Sequence, residues 1–303
     1  MGYKLPQEKR DEIYQQIQDQ FLEYETLVKD GNTCVLCTDL ITMLLQITGD
    51  ELFPGWPTGK TTDKEWALHI LQFCEQKIYT SAASSDCCKL SLFDLVQIAR
   101  RYIDMDTTES IKRSEYIYNL VLKEIESDSW WHSNAGELTF MMATGLKKLD
   151  IKRSYELYEK AIKLEAKPSL LMIIGDALSQ NFDEENTSLK FKNPEHKSKE
   201  ANLIEKNLQT KSYQKALHII TSKDYQKVRS DKMIVSDFIS LVASITWREC
   251  GNNADWGIEV YKKAIEFSVV KKYKEGLNQI ADSIEDWRWG NNPEWAEEVR
   301  SLI

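Results

Sequence analysis

Residues 154–162 read SYELYEKAI and residues 257–265 read GIEVYKKAI. Both place a small residue first, a tyrosine four positions later and an alanine three after that: Ser154/Tyr158/Ala161 and Gly257/Tyr261/Ala264. At about 3.6 residues per turn, positions i, i+4 and i+7 share one face of an α-helix. The small side chain lets a neighbouring helix approach closely, and the tyrosine fills the space beside it. A helix cannot bury such a stripe alone. The spacing predicts helices that stack.

Working outward, the same stripe recurs as Ser114/Tyr118/Val121 and Ala67/Leu71/Cys74, with a degenerate terminal copy at Ala296/Arg300/Ile303. Longer strings repeat as well. Ile111-Lys112-Arg113-Ser114 returns as Ile151-Lys152-Arg153-Ser154, offset by 40 residues. Gly251-Asn252-Asn253-Ala254-Asp255-Trp256-Gly257 returns as Gly290-Asn291-Asn292-Pro293-Glu294-Trp295-Ala296, offset by 39. Trp247-Arg248 and Trp287-Arg288 precede those two copies, and another opens at Thr62-Asp63-Lys64-Glu65-Trp66-Ala67. Thr62-x-x-Glu65 has the form of a capping box, and Asn292-Pro293 puts an N-cap before a proline at N1. First-turn Trp66, Trp256 and Trp295 are each followed four positions on by an apolar residue, Ile70, Val260 and Val299. Self-similarity at a period of 39–47 residues marks a repeat architecture.

These motifs resemble the tetratricopeptide and Sel1-like helical-repeat superfamily. The small-x-x-x-aromatic-x-x-Ala stripe matches the second helix of that repeat. Ala99-x-x-Tyr102 and Ser244-x-x-Trp247 resemble its first helix. The resemblance covers roughly residues 60–175 and 230–303. Offsets of 39, 40 and 47 exceed the family's period of about 34, and its closing proline is mostly missing, Pro168 standing two residues late. The resemblance implies a curved stack of helices that binds peptides or proteins.

Composition agrees with helices. Six prolines and twelve glycines in 303 residues are too few for the many turns of a β-sandwich or barrel. Apolar periodicity predicts helices from Pro6 to about 29 and over 33–47, 63–79, 89–104, 110–126, 135–149, 151–165 and 168–179. It predicts more over 200–208, 210–221, 231–249, 254–268, 270–286 and 293–302. The expected fold is all-α: an α/α superhelical solenoid of stacked antiparallel helix pairs. Its organisation reads as an N-terminal helical-repeat region over 1–180, a polar loop or insert over 181–200 and a C-terminal repeat region over 201–303.

The formal net charge is −9 and the sequence pI is about 5.2. Such a surface repels phosphate backbones and anionic headgroups, so neither nucleic acid nor membrane is the expected partner. A basic protein is. No apolar run approaches the roughly 20 residues of a membrane span. The opening MGYKLPQEKRDEIY is charged where a signal peptide is apolar, and Pro6 breaks the myristoylation pattern. A cytoplasmic location with reduced thiols is the expectation.

Chemistry-bearing residues are sparse. Cys34-x-x-Cys37 with Cys87-Cys88 supplies only half of a four-thiolate zinc pattern, because no second C-x-x-C exists. Pro54-Gly55-Trp56-Pro57-Thr58-Gly59-Lys60-Thr61 looks like a phosphate loop, but its glycines are four apart and its prolines remove amide donors. His69, His132, His196 and His218 have no second histidine at ligand spacing. No catalytic, cofactor-binding or metal set is expected. The lysines between Lys190 and Lys215 alternate with Glu195, Glu200 and Glu205, which reads as a solvated linker.

Adjacent aromatics stand out instead. Neighbours on a helix lie about 100° apart, so Trp130-Trp131 and Trp287-x-Trp289 cannot all enter one core. They and Trp56 are candidate anchors for a protein partner, with Asp282, Glu285 and Asp286 favouring a basic one. Acidic charge, missing catalytic motifs and degenerate repeats point to a non-enzymatic inhibitor of bacterial immunity or antitoxin type that occludes a cognate toxin or effector. A peptide-binding adaptor of tetratricopeptide type is the alternative. A cysteine- or metal-dependent enzyme in the first 90 residues is the other.

Overall fold

The computed structural model describes residues 6–29, 68, 71–73, 75–76, 92–127, 134–147, 149–179, 199–246, 254–286 and 291–303. Among these residues all regular structure is α-helical. They fall into two compact units: one drawn from Met1–His132, Met141–Ser154 and Glu184–Lys192, the other from Ser133–Phe140, Tyr155–Asp183 and Asn193–Ile303. The helix expected over 33–47, the loop over 48–61, the capping box at Thr62, Trp66, Trp247 and the polar insert up to 198 lie outside the described residues.

The first unit contains α1 (Gln7–Lys29), α2 (Leu92–Asp104) and α3 (Thr108–Ser127). It also holds the end of α4 (Ala135–Leu146) and the first turn of α5 (Ile151–Leu164). Helices α2 and α3 pack together across a tight turn in which Asp106 takes a left-handed conformation, φ 53°. Aspartate tolerates that region better than most side chains. Thr107 then caps α3: its Oγ1 accepts from the Ser110 amide (3.1 Å), and its own amide donates to Ser110 Oγ (3.1 Å). This is a capping box with serine where glutamate usually stands, which is why α3 starts at Thr108 and not near 110. The expected stripe on α3 is shut away: Ser114, Tyr118 and Val121 are all fully buried. Ser154, at the start of α5, is fully buried too, and its hydroxyl donates to the Ala143 carbonyl at 2.7 Å.

In the second unit α6 (Pro168–Ser179) packs on α7 (Lys199–Thr221), α9 (Asp231–Thr246) on α10 (Ala254–Lys271), and α11 (Lys274–Glu285) on α12 (Pro293–Arg300). Short α8 (Lys223–Val228) lies on α7. Helix α9 also touches both α6 and α7, and α11 touches both α9 and α10. Each pair of this unit therefore leans on the next in sequence. The stripe residues of this unit are shut away as well: Tyr158, Ala161, Gly257, Tyr261 and Ala264 are buried. Trp256 in the first turn of α10 packs on Tyr213 of α7 with ring centroids 6.1 Å apart. Trp295 in the first turn of α12 packs on Tyr261 of α10 at 5.8 Å, edge to face. The terminal cap is as the sequence predicts, with the Asn292 side chain accepting from the Trp295 amide and Pro293 at N1.

Two features differ from the sequence reading. Helix α7 runs unbroken from Lys199 to Thr221 where a break near Gln209 was expected. No glycine or proline interrupts it, and Gln209 is buried. The continuous helix reveals a further stripe, Gln209/Tyr213/Ala216, whose first position is not small and so escapes the pattern. Helix α8 was unforeseen; six residues are too short to show a period, and it rests on Ser222, whose hydroxyl accepts from the Tyr225 amide.

Candidate functional site

Of the candidate partner-binding residues, Trp56, Trp130, Trp131, Trp287 and Trp289 lie outside the described residues. Asp282, Glu285 and Asp286 are described, and they belong to α11 and its C-cap. Gly276, Leu277, Ile280, Ala281 and Ile284 form the buried face of that helix. By periodicity the opposite face carries Glu275, Asn278, Asp282 and Glu285, all exposed. The Asp282 and Glu285 side chains are 71% and 49% exposed.

Arg300 reaches back from the end of α12 to both carboxylates, 2.8 Å to Asp282 Oδ1 and 2.6 Å to Glu285 Oε2. It occupies the large position of the degenerate last stripe, where three earlier copies have tyrosine and one has leucine. An ion pair thus stands where Tyr118, Tyr158 and Tyr261 place an aromatic ring. Hydrogen bonds to Asp282 and Glu285 push the Arg300 pKa up from its already high value. Asp286 lies near Tyr261, whose hydroxyl shares a 2.7 Å hydrogen bond with Ser283. Burial raises the Tyr261 pKa; the Ser283 bond opposes the rise and Asp286 adds to it.

Arg300 does not neutralise this helix pair. Glu275, Asp282, Glu285, Asp286, Glu294, Glu297 and Glu298 face only Lys274 and Arg300 as cations on α11, α12 and the Asp286 cap. All but Asp286 of these carboxylates are exposed. The surface is a source of negative potential able to steer a cationic partner.

Sequence reasoning missed two polar centres. In the second unit, Asp176 on α6 accepts from Tyr213 of α7 (2.6 Å) and from Ser244 of α9 (3.2 Å), joining three helices. In the first unit, Glu75 is almost fully buried and accepts from Arg113 Nε (3.0 Å) and from the Tyr102 hydroxyl (3.0 Å). The Arg113 guanidinium lies 4.8 Å from the centroid of the exposed Tyr116 ring. Both border an open groove of about 290 Å³ with Leu68, Gln72, Glu109 and Lys112. Of these residues the sequence singles out Tyr102 and Ser244 through their resemblance to the repeat's first helix, and Arg113 through the repeated Ile-Lys-Arg-Ser string, without announcing the polar contacts.

No group of three or more His, Cys, Asp or Glu side chains among the described residues could hold a metal ion. All six cysteines lie outside those residues, as do His69, His132 and His196, while His218 is an exposed residue in the last turn of α7. Among the described residues no helix is long and apolar enough to cross a membrane. In comparisons with known proteins, no family model, curated protein or solved structure matches the chain.

Proposed function

We propose that the chain is a non-enzymatic, protein-binding α/α solenoid of tetratricopeptide or Sel1-like kind, acting as an immunity or antitoxin-type inhibitor. Its partner is a cognate toxin or effector with a basic surface, and its place is the cytoplasm. The supporting observation is the α11–α12 pair, with seven carboxylates against two cations on packed helices. A rigid acidic surface costs little ordering entropy on binding, and its field accelerates encounter with a basic cleft. Occlusion of that cleft would be the mechanism, with the candidate tryptophans of the sequence as anchors. Arg300 supports the reading in a second way: by bonding Asp282 and Glu285 it holds the two carboxylates in fixed positions.

The test is co-purification with the product of the adjoining gene and rescue of the growth arrest that product causes. A Glu275→Lys/Glu298→Lys variant should keep its helicity and lose both complex and rescue. Rescue untouched by the double reversal would remove the acidic surface from the account. Absence of any rescue or complex would remove the inhibitor reading.

The groove beside Tyr116 favours the adaptor reading as second choice. Lys112, Arg113 and an exposed aromatic ring could grip an acidic or aromatic peptide side chain.

A further inference from the structure

A different surface of the second unit carries the opposite charge. Helix α10 ends on Val269, Val270 and Lys271, and a single left-handed residue, Lys272 (φ 54°), turns the chain into α11. Helix α8 ends on Val228, and α9 begins two residues after Arg229. These ends adjoin one another: Lys271 Nζ is 3.9 Å from Asp231 Oδ1, and Tyr273 feels the charge of the same Asp231. Tyr225 of α8 donates to Asp237 of α9 at 2.6 Å, which fixes the short helix in place.

The side chains gathered there are unusual for a chain of net charge −9. Val228 is 79% exposed, Val270 74%, Val269 47% and Met233 45%. Around them Lys227, Arg229, Lys232, Lys271, Lys272 and Lys274 are all exposed, against Asp231 within the two segments and Asp224 and Glu275 beside them, Asp224 lying 3.5 Å from Lys227. Three valines thus stand in water at helix ends. Cations ringing an aliphatic tip make a physical combination that serves the boundary between water and anionic headgroups. There the aliphatic groups enter the acyl boundary and the ammonium groups stay with the phosphates.

We propose that this surface, formed by 227–233 and 269–274, docks the protein on anionic lipid membranes. A fluid layer accommodates isolated aliphatic tips without a preformed socket, whereas a protein partner would need a pocket for each. Valine is also under-represented among the residues that dominate protein interfaces. The whole-chain charge argues against membranes, but screening over about 8 Å at physiological salt makes the local excess of cations the quantity that matters. Each lysine near an anionic surface strengthens binding by about fivefold, so this patch gives weak, reversible, salt-sensitive attachment. The proposal stands independently of the inhibitor reading, since neither Asp282, Glu285 and Asp286 nor the candidate tryptophans belong to the patch.

The experiment is co-sedimentation of the full chain with vesicles of phosphatidylcholine alone or with about a third phosphatidylserine. Expected is binding to the serine-containing vesicles at 50 mM NaCl, at least tenfold above pure phosphatidylcholine, and lost at 500 mM. Val228→Asp/Val270→Asp and, separately, Lys227→Glu/Lys272→Glu should each reduce it at least tenfold. All four residues are exposed, and circular dichroism checks that the helices persist. Binding no better than to pure phosphatidylcholine, or binding that both variants retain, would overturn the proposal. So would saturable, variant-sensitive binding of poly-glutamate without any binding to vesicles, which would mark an acidic protein as the occupant.

Discussion

The Ser154 hydroxyl donates to the Ala143 carbonyl at 2.7 Å, and both residues are fully buried. The small residue that opens the stripe thus does two things: it admits the neighbouring helix and it bonds to that helix's backbone. Ser212 repeats the arrangement, its buried hydroxyl donating to the Leu171 carbonyl at 2.6 Å. Ser154→Ala should cost about 1 kcal/mol, the net worth of one hydrogen bond. Ser154→Leu should cost at least 1–3 kcal/mol more from overpacking. Urea midpoints at constant m-value measure both, and a Leu variant as stable as wild type would show that the helices do not approach closely there.

The tyrosines of the stripe differ in how their hydroxyls are satisfied. Tyr118 is fully buried beside Gly145, and its hydroxyl has no hydrogen-bond partner among the described residues. The Tyr213 hydroxyl donates to Asp176 at 2.6 Å. Tyr118→Phe is therefore expected to be neutral or to stabilise by about 1 kcal/mol, whereas Tyr213→Phe should destabilise by about 1–3 kcal/mol. Thermal unfolding of the two variants decides it; equal losses would contradict the assignment.

Alkaline pH should unfold the protein through these tyrosines. Burial, followed by the hydrogen bond to Asp237 and its charge, pushes the Tyr225 pKa up to about 12, and burial raises Tyr118 and Tyr155 as well. A raised tyrosine pKa means the folded state holds the neutral form. The unfolded chain loses its protons first, near pH 10, so this stability is complete below pH 10 and falls as pH rises toward 12. Urea midpoints between pH 9 and 11.5 should decline, and Tyr225→Phe should decline less steeply. A flat profile would contradict the burial of these hydroxyls.

The fold was legible where side-chain size repeats at helical spacing. Ser114/Tyr118/Val121, Ser154/Tyr158/Ala161 and Gly257/Tyr261/Ala264 all enter the core because nothing but a neighbouring helix can cover them. Legibility failed where a larger polar residue took the small position, as Gln209 does before Tyr213. It failed again where a helix was too short to show a period, as in α8. At the candidate site, the carboxylates of α11 were found from their run in the sequence. Their link to Arg300 was not, because that arginine sits where the pattern leads one to seek an aromatic ring. Polar centres such as Asp176 with Tyr213 and Ser244 join residues up to 68 positions apart, and no local spacing announces them.

The account depends most on consecutive pairs supporting one another through the stripe, and the contact of Tyr261 with Trp295 isolates that dependence. A double-mutant cycle of Tyr261→Ala and Trp295→Ala, read by urea unfolding of the full chain, measures it directly. The predicted coupling is about 0.5–1.5 kcal/mol, the range of buried aromatic pairs, with both single variants destabilised. Strict additivity of the two losses, or a Trp295→Ala variant as stable as wild type, would mean that the last pair does not hold the one before it.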